Sequence, residues 1–207
     1  ACRKILAIAG TDLTVTGIEN IPDEPVLFVG NHCSYFDIVA AIATLPNGAG
    51  YIAKDSIKKV PGLRGYMDLI HCLYLDRTDL KKGVEMIKEG IGLIRSGYSM
   101  VIYPEGTRSK DGRLGEFKGG ALKMAQRSDA PIVIIACTGT RDIYENNPGF
   151  RIRPAKVTMT FSEPFRISEL PKEDRRFASR YTRDRLLSML KEAGIDQPDA
   201  LSGQAEE

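Results

Sequence analysis

Val26-Leu27-Phe28-Val29-Gly30-Asn31-His32-Cys33-Ser34-Tyr35-Phe36-Asp37 sets the pattern by which the rest of this chain is read. Four apolar residues in a row, without alternation, suit a strand covered on both faces, as in a parallel sheet. Asp37 to Leu45 then reads as a short helix, ended by Pro46-Asn47-Gly48. Strand, loop and helix in that order form the unit of an α/β fold, and the unit recurs in both directions.

Upstream, Leu13-Thr14-Val15-Thr16 alternates with period two and predicts a strand. Downstream, strands are predicted at Tyr51-Ile52-Ala53, Cys72-Leu73-Tyr74-Leu75, Met100-Val101-Ile102-Tyr103, Pro131 to Ala136 and Val157 to Phe161. Between them, Asp55 to Ile70 predicts two helical pieces broken at Pro61-Gly62. Leu80 to Arg95 is the clearest helix, since Val84, Ile87, Ile91 and Ile94 recur at three- and four-residue steps. Further helices are predicted from Lys118 to Arg127 and from Arg175 to Ala193. Together these elements make one α/β domain, a central mixed, largely parallel sheet flanked by helices. Its motif-bearing core covers residues 11–165, a terminal helix lies near 172–194, and 195–207 form a polar tail. In such sheets ligands gather beyond the carboxyl ends of the strands. That singles out the residues directly after Val29, Leu75, Tyr103 and Ala136.

Length and composition agree with this. At 207 residues with 43% hydrophobic content the chain can bury one sizeable core. A net charge of +2 is too mild to imply nucleic acid, but it permits a locally basic face toward an anionic ligand or membrane. Cys2, Cys33, Cys72 and Cys137 form no Cys-x-x-Cys pair, and two histidines leave few metal ligands, so no metal site is expected. The cysteines read as reduced thiols. Ile5 to Ala9, behind Arg3-Lys4, is too short to span a membrane. The chain starts without an initiator methionine, so an anchor outside this sequence stays open as an expectation.

Three segments carry candidate chemistry. In Asn31 to Asp37, a carboxylate five residues after a histidine can fix the imidazole tautomer and leave its other nitrogen free to accept a proton. The same residues, Ser34-x-x-Asp37, also fit a capping box, in which Asp37 only caps the helix. The two readings stand side by side and do not exclude each other. In Tyr103-Pro104-Glu105-Gly106-Thr107-Arg108-Ser109, glycine permits close backbone approach, and arginine offers a planar fork to phosphate oxygens. A surface turn with a solvated arginine is the alternative. The third segment interleaves Lys54, Lys58, Lys59 and Arg64 with Ile57, Val60, Leu63, Met67, Leu69 and Ile70. It suits a helix at a membrane interface or lining an entrance for an amphiphile, and suits somewhat better an ordinary amphipathic helix with solvated lysines. The arginines Arg175, Arg176, Arg180, Arg183 and Arg185 read as a solvated face. Nucleophile-elbow, Walker and dinucleotide-binding glycine motifs do not occur.

Taken in order, these segments resemble the glycerolipid acyltransferase family. His32 to Asp37 matches the family's His-x4-Asp block. Tyr103 to Ser109 matches its Tyr-Pro-Glu-Gly-Thr-Arg-Ser block in full. Lys54, Pro61-Gly62-Leu63-Arg64-Gly65 and Arg77 match a looser block, with Gly65 one place late. Ala130 to Ile135 matches the apolar strand around a proline.

The resemblance implies that His32 acts as base and Asp37 orients it. Glu105, Gly106, Thr107 and Arg108 would form a phosphate site, Glu105 by orienting its basic groups, with Lys54 and Arg77 as further cationic contacts. The resemblance assigns no oxyanion stabiliser, for which backbone amides near the first block and Lys54 are the candidates, and Cys33 would be a bystander. It further implies acyl transfer from coenzyme A or acyl carrier protein, without a cofactor, to the sn-2 hydroxyl of 1-acylglycerol 3-phosphate, giving phosphatidic acid. Glycerol 3-phosphate or another lysophospholipid is the close alternative, and a non-catalytic lipid-binding protein the distant one. A peripheral place on the cytoplasmic side of a membrane is implied as well.

Overall fold

A computed structural model describes residues 1–76 and 79–195. Among the described residues, seven strands form one sheet in the order β1-β7-β6-β2-β5-β3-β4. They are β1 (Asp12–Thr16), β2 (Leu27–Gly30), β3 (Gly50–Lys54), β4 (Leu73–Leu75), β5 (Met100–Ile102), β6 (Ile132–Thr138) and β7 (Lys156–Phe161). Every adjacent pair is parallel except β6 with β7, which run antiparallel. The expected mixed, largely parallel sheet is therefore the observed one. β2 and β5 are buried along their whole length, and β6 along all but its last residue. That is the physical reason their sequences are unbroken apolar runs.

Eight helices are described: α1 (Cys2–Ile8), α2 (Tyr35–Thr44), α3 (Leu63–Leu69), α4 (Leu80–Arg95), α5 (Lys123–Ser128), α6 (Thr140–Ile143), α7 (Lys172–Arg176) and α8 (Ala178–Glu192). One apolar cluster unites Leu27, Met100, Ile132 and Ile134 with Met86 and Ile94 of α4, Met124 of α5 and Leu186 of α8. The other packs Phe28, Val101, Val133 and Met159 against Leu6 of α1, Ala40 and Ala41 of α2, and Met67 of α3. The sheet is thus covered on both faces.

Three sequence expectations need correction. The helix expected from Lys118 begins only at Lys123, because residues 119–122 form turns. There the Lys118 amide is drawn to the Pro104 carbonyl at 3.0 Å, and Gly119-Gly120 favours no helix. The terminal helix divides at Phe177 into α7 and α8. Its arginines are not one solvated face, since Arg183 is buried and donates to the carbonyls of Gly115 (3.0 Å) and Leu114 (3.2 Å). The predicted tail falls, beyond Ile195, outside the described residues, as does Arg77.

Strand register decides what meets at the carboxyl edge. Val29 pairs with Ile102 and Ile134, Gly50 with Met100, and Lys54 with Leu75. The segments after β2, β5 and β6 therefore leave the sheet side by side, and Lys54 ends its strand on the same edge.

Candidate active site

The loop after β2 is shaped by its own amides. Ser34 caps α2, its hydroxyl accepting from Phe36 N at 3.0 Å. Asp37, at 1% exposure, turns back toward the cap. Its Oδ2 accepts from Cys33 N and Ser34 N, both at 2.7 Å, and faces His32 Nδ1 at 3.1 Å. Its Oδ1 accepts from the Thr140 hydroxyl at 2.5 Å. A carboxylate can only accept, so Nδ1 carries the imidazole proton and the other ring nitrogen, Nε2, is left as acceptor. The Tyr103 ring stacks on the imidazole, with centroids 4.3 Å apart and planes at 21°. Burial, and next the Asp37 charge, push the Tyr103 phenol well above its ordinary range, so it stays neutral beside His32.

Glu105 departs from expectation. It was to orient basic groups, yet its buried carboxylate accepts from two backbone amides, His32 N at 2.8 Å and Gly115 N at 2.9 Å. It binds the loop after β5 to the histidine loop. Burial raises its pKa, while those two amide bonds pull the other way. Gly106 comes next with φ +71°, a conformation that favours glycine, and its amide closes a turn on the Tyr103 carbonyl at 3.0 Å. Lys118 lies over this turn, its Cε 2.9 Å from where a Cβ on Gly106 would sit. Among the described residues, nothing in the chain accepts from the amides of Thr107 and Arg108. A left-handed residue before two free amides, with an ammonium above, is a ready anion cradle.

Arg108 is held on two sides. Its guanidinium lies 3.6 Å over the Tyr35 ring, and Nη1 donates to Glu145 at 3.0 Å. Lys54 is exposed and makes no ion pair among the described residues. The amides proposed for the oxyanion are already engaged: His32 N by Glu105, Cys33 N and Ser34 N by Asp37, Tyr35 N by Glu145, and Phe36 N by Ser34. A donor committed to an internal acceptor is not free for a developing charge, so these amides are poor candidates for that role.

The residues missed by sequence reading come mainly from the segment after β6. Gly139 at φ +80° comes so close to the Lys156 carbonyl that no Cβ would fit, and it turns the chain so that Thr140 reaches Asp37. Arg141 donates to the carbonyls of Ser109 (2.9 Å) and Lys110 (2.8 Å). The strand-edge rule pointed to this segment, but no motif marked its residues. Among the described residues, no group of three His, Cys, Asp or Glu is placed to hold a metal.

The acyltransferase family model matches residues 12–138, most of the sheet and both motif loops. This chain belongs to the acyltransferase family. It is 32% identical over 172 residues to the 1-acyl-sn-glycerol-3-phosphate acyltransferase of Cocos nucifera, which covers 83% of this chain and 55% of that protein. It is 29% identical over 188 residues to the enzyme of that name from Saccharomyces cerevisiae, covering 89% of this chain and 62% of the relative. The chain thus spans little more than half the length of such relatives. Among solved structures it is similar to the 1-acyl-sn-glycerophosphate acyltransferase PlsC of Thermotoga maritima, with a TM-score of 0.80 and 27% identity over 94% of this chain and 77% of that one.

Proposed function

We propose that this chain transfers a fatty acyl group from a thioester, on coenzyme A or acyl carrier protein, to the sn-2 hydroxyl of 1-acylglycerol 3-phosphate. The observation that carries the reading is the His32–Asp37 pair, 3.1 Å apart, on the sheet edge it shares with the anion cradle at Gly106. His32 Nε2 takes the hydroxyl proton as the oxygen attacks the thioester carbon. The carbon–sulfur bond then breaks, and the proton passes to the leaving thiolate, giving an ester and a free thiol. Asp37 balances the imidazolium formed in between. A thioester is activated enough to need no acyl-enzyme. Cys33 suits no nucleophilic role, because burial, and after it the Asp37 charge, pushes its thiol up to about 12. The reaction calls for no cofactor beyond the thioester.

The acceptor's phosphate is assigned to the amides of Thr107 and Arg108, the open edge of the Arg108 guanidinium, and Lys118. Lys54 and Arg77 are assigned as outlying cations. Holding the phosphate there places the hydroxyl against His32, which is catalysis by orientation.

Attachment to the cytoplasmic face of a membrane is part of the same reading. Val60, Leu63, Tyr66 and Leu69 are exposed, Leu69 at 75%, beside Lys58, Lys59 and Arg64. Among the described residues, no helix is long and apolar enough to cross a membrane.

A thioester-release assay across lysophosphatidate, glycerol 3-phosphate and other lysophospholipids tests the proposal. His32→Ala should lose at least about a hundredfold in turnover while remaining folded. Arg108→Ala should raise the acceptor KM far more than the thioester KM. Unchanged turnover in the first variant, or equal KM effects in the second, removes the corresponding assignment.

A further inference from the structure

Glu145 belongs to none of the sequence blocks, yet it touches both motif loops. Its Oε1 accepts from Arg108 Nη1 and from Tyr35 N, each at 3.0 Å, and its Oε2 accepts from the Ser34 hydroxyl at 2.6 Å. The carboxylate side chain is 14% exposed. It therefore sits at the N-terminal cap of α2, two residues past His32, and grips the arginine of the Gly106 turn. Behind it, Arg141 fastens Ser109 and Lys110 from the same short segment.

We propose that Glu145 is a positioning residue: it holds the Arg108 guanidinium by one edge so that the remaining donors meet the acceptor's phosphate at a set distance from His32. The inference rests on the acyl-transfer reading above. Two constraints act on one planar group, the Tyr35 ring on its face at 3.6 Å and Glu145 on its edge. An arginine held so loses little side-chain freedom when a phosphate arrives, which is where much of a flexible side chain's binding advantage is otherwise lost. A displaceable place-holder fits less well. The carboxylate is tied by three donors, two of them on the α2 cap, so an incoming phosphate would have to break that cap to expel it. The anchor stays, and the phosphate takes the donors that Glu145 leaves open.

The test is steady-state kinetics of purified Glu145→Ala and Glu145→Gln against lysophosphatidate and a long-chain acyl thioester. Glu145→Ala should raise the acceptor KM by about tenfold or more, leave the thioester KM unchanged, and lower kcat through misplacement of the hydroxyl. Glu145→Gln keeps an oxygen for Arg108 and Tyr35 N and an amide for Ser34, so it should recover to within about threefold of the parent chain.

Should the alanine variant not fold, Glu145→Asp takes its place. Drawing the carboxylate back by one methylene should raise the acceptor KM severalfold, but have no further effect once Arg108→Ala has removed the group being positioned. An unchanged acceptor KM, equal rises in both KM values, or a full Glu145→Asp effect in the Arg108→Ala background overturns the inference. A parent chain without transfer to any acceptor would instead refute the reading beneath it.

Discussion

Asp37→Asn separates the geometric from the electrostatic part of the site. The asparagine carbonyl can keep the three contacts of Oδ2, to His32 Nδ1, Cys33 N and Ser34 N, while its amide donates to the Thr140 hydroxyl, which turns to accept. What disappears is the negative charge facing the imidazolium. At 3.1 Å and an effective dielectric of about 20, a unit pair is worth about 5 kcal/mol. Each 1.36 kcal/mol is about tenfold in rate. His32 is 15% exposed, so screening trims this, and the expected loss in kcat is about 10³-fold. Stability should fall by only about 1–2 kcal/mol, because charged acceptors give way to neutral ones. Asp37→Ala instead leaves four donors without an acceptor, at about 1–3 kcal/mol each, and should unfold far more readily. Thioester release at saturating substrates, beside urea denaturation of both variants, checks the pair of expectations. Turnover of Asp37→Asn within tenfold of the parent would refute the charge argument. Equal stability of the two variants would refute the accounting of donors.

Cys33 offers a cleaner negative. With its thiol pushed up to about 12, the thiolate fraction at pH 8 is on the order of 10⁻⁴, so iodoacetamide at that pH should leave activity intact for hours, and Cys33→Ala should keep turnover within a few fold. Rapid inactivation that Cys33→Ala abolishes would contradict the bystander role. Glu105 predicts a stability slope. Its folded pKa is raised by burial, so the folded state holds the proton more tightly than the unfolded one. Its contribution is therefore greatest below the ordinary carboxylate pKa and declines as pH climbs through the raised folded value. Urea midpoints across the acid range should fall less steeply with rising pH in Glu105→Gln than in the parent, and parallel profiles would count against a raised Glu105.

The fold was legible where burial leaves a one-dimensional trace. β2, β5 and β6 are covered on both faces, and each is an apolar run in sequence. α4 was legible to the residue because Asp79 caps it, accepting from Lys81 N and Lys82 N, and one face carries its apolar repeat. The start of α5 was not, because what delays it is the tertiary bond from Lys118 N to Pro104, which no local pattern encodes. Arg183 was misread for a related reason. A charge among charges looks solvated until the chain folds and places Leu114 and Gly115 beneath it.

The site divides along the same line. His32 and Asp37 lie five residues apart, and the Gly106 turn is contiguous, so both could be seen locally. Thr140 meets Asp37 across 103 residues and Glu145 meets Arg108 across 37, as ordinary polar residues in a segment without a motif. One question left open by the sequence, whether Asp37 caps a helix or orients a base, turns out not to be a choice. A carboxylate offers about four lone-pair sites. Oδ2 takes the cap amides and the imidazole together, and Oδ1 is fixed by Thr140. The cap is what makes the orientation rigid, because the amides that hold Asp37 in place belong to the two residues directly after the histidine it faces.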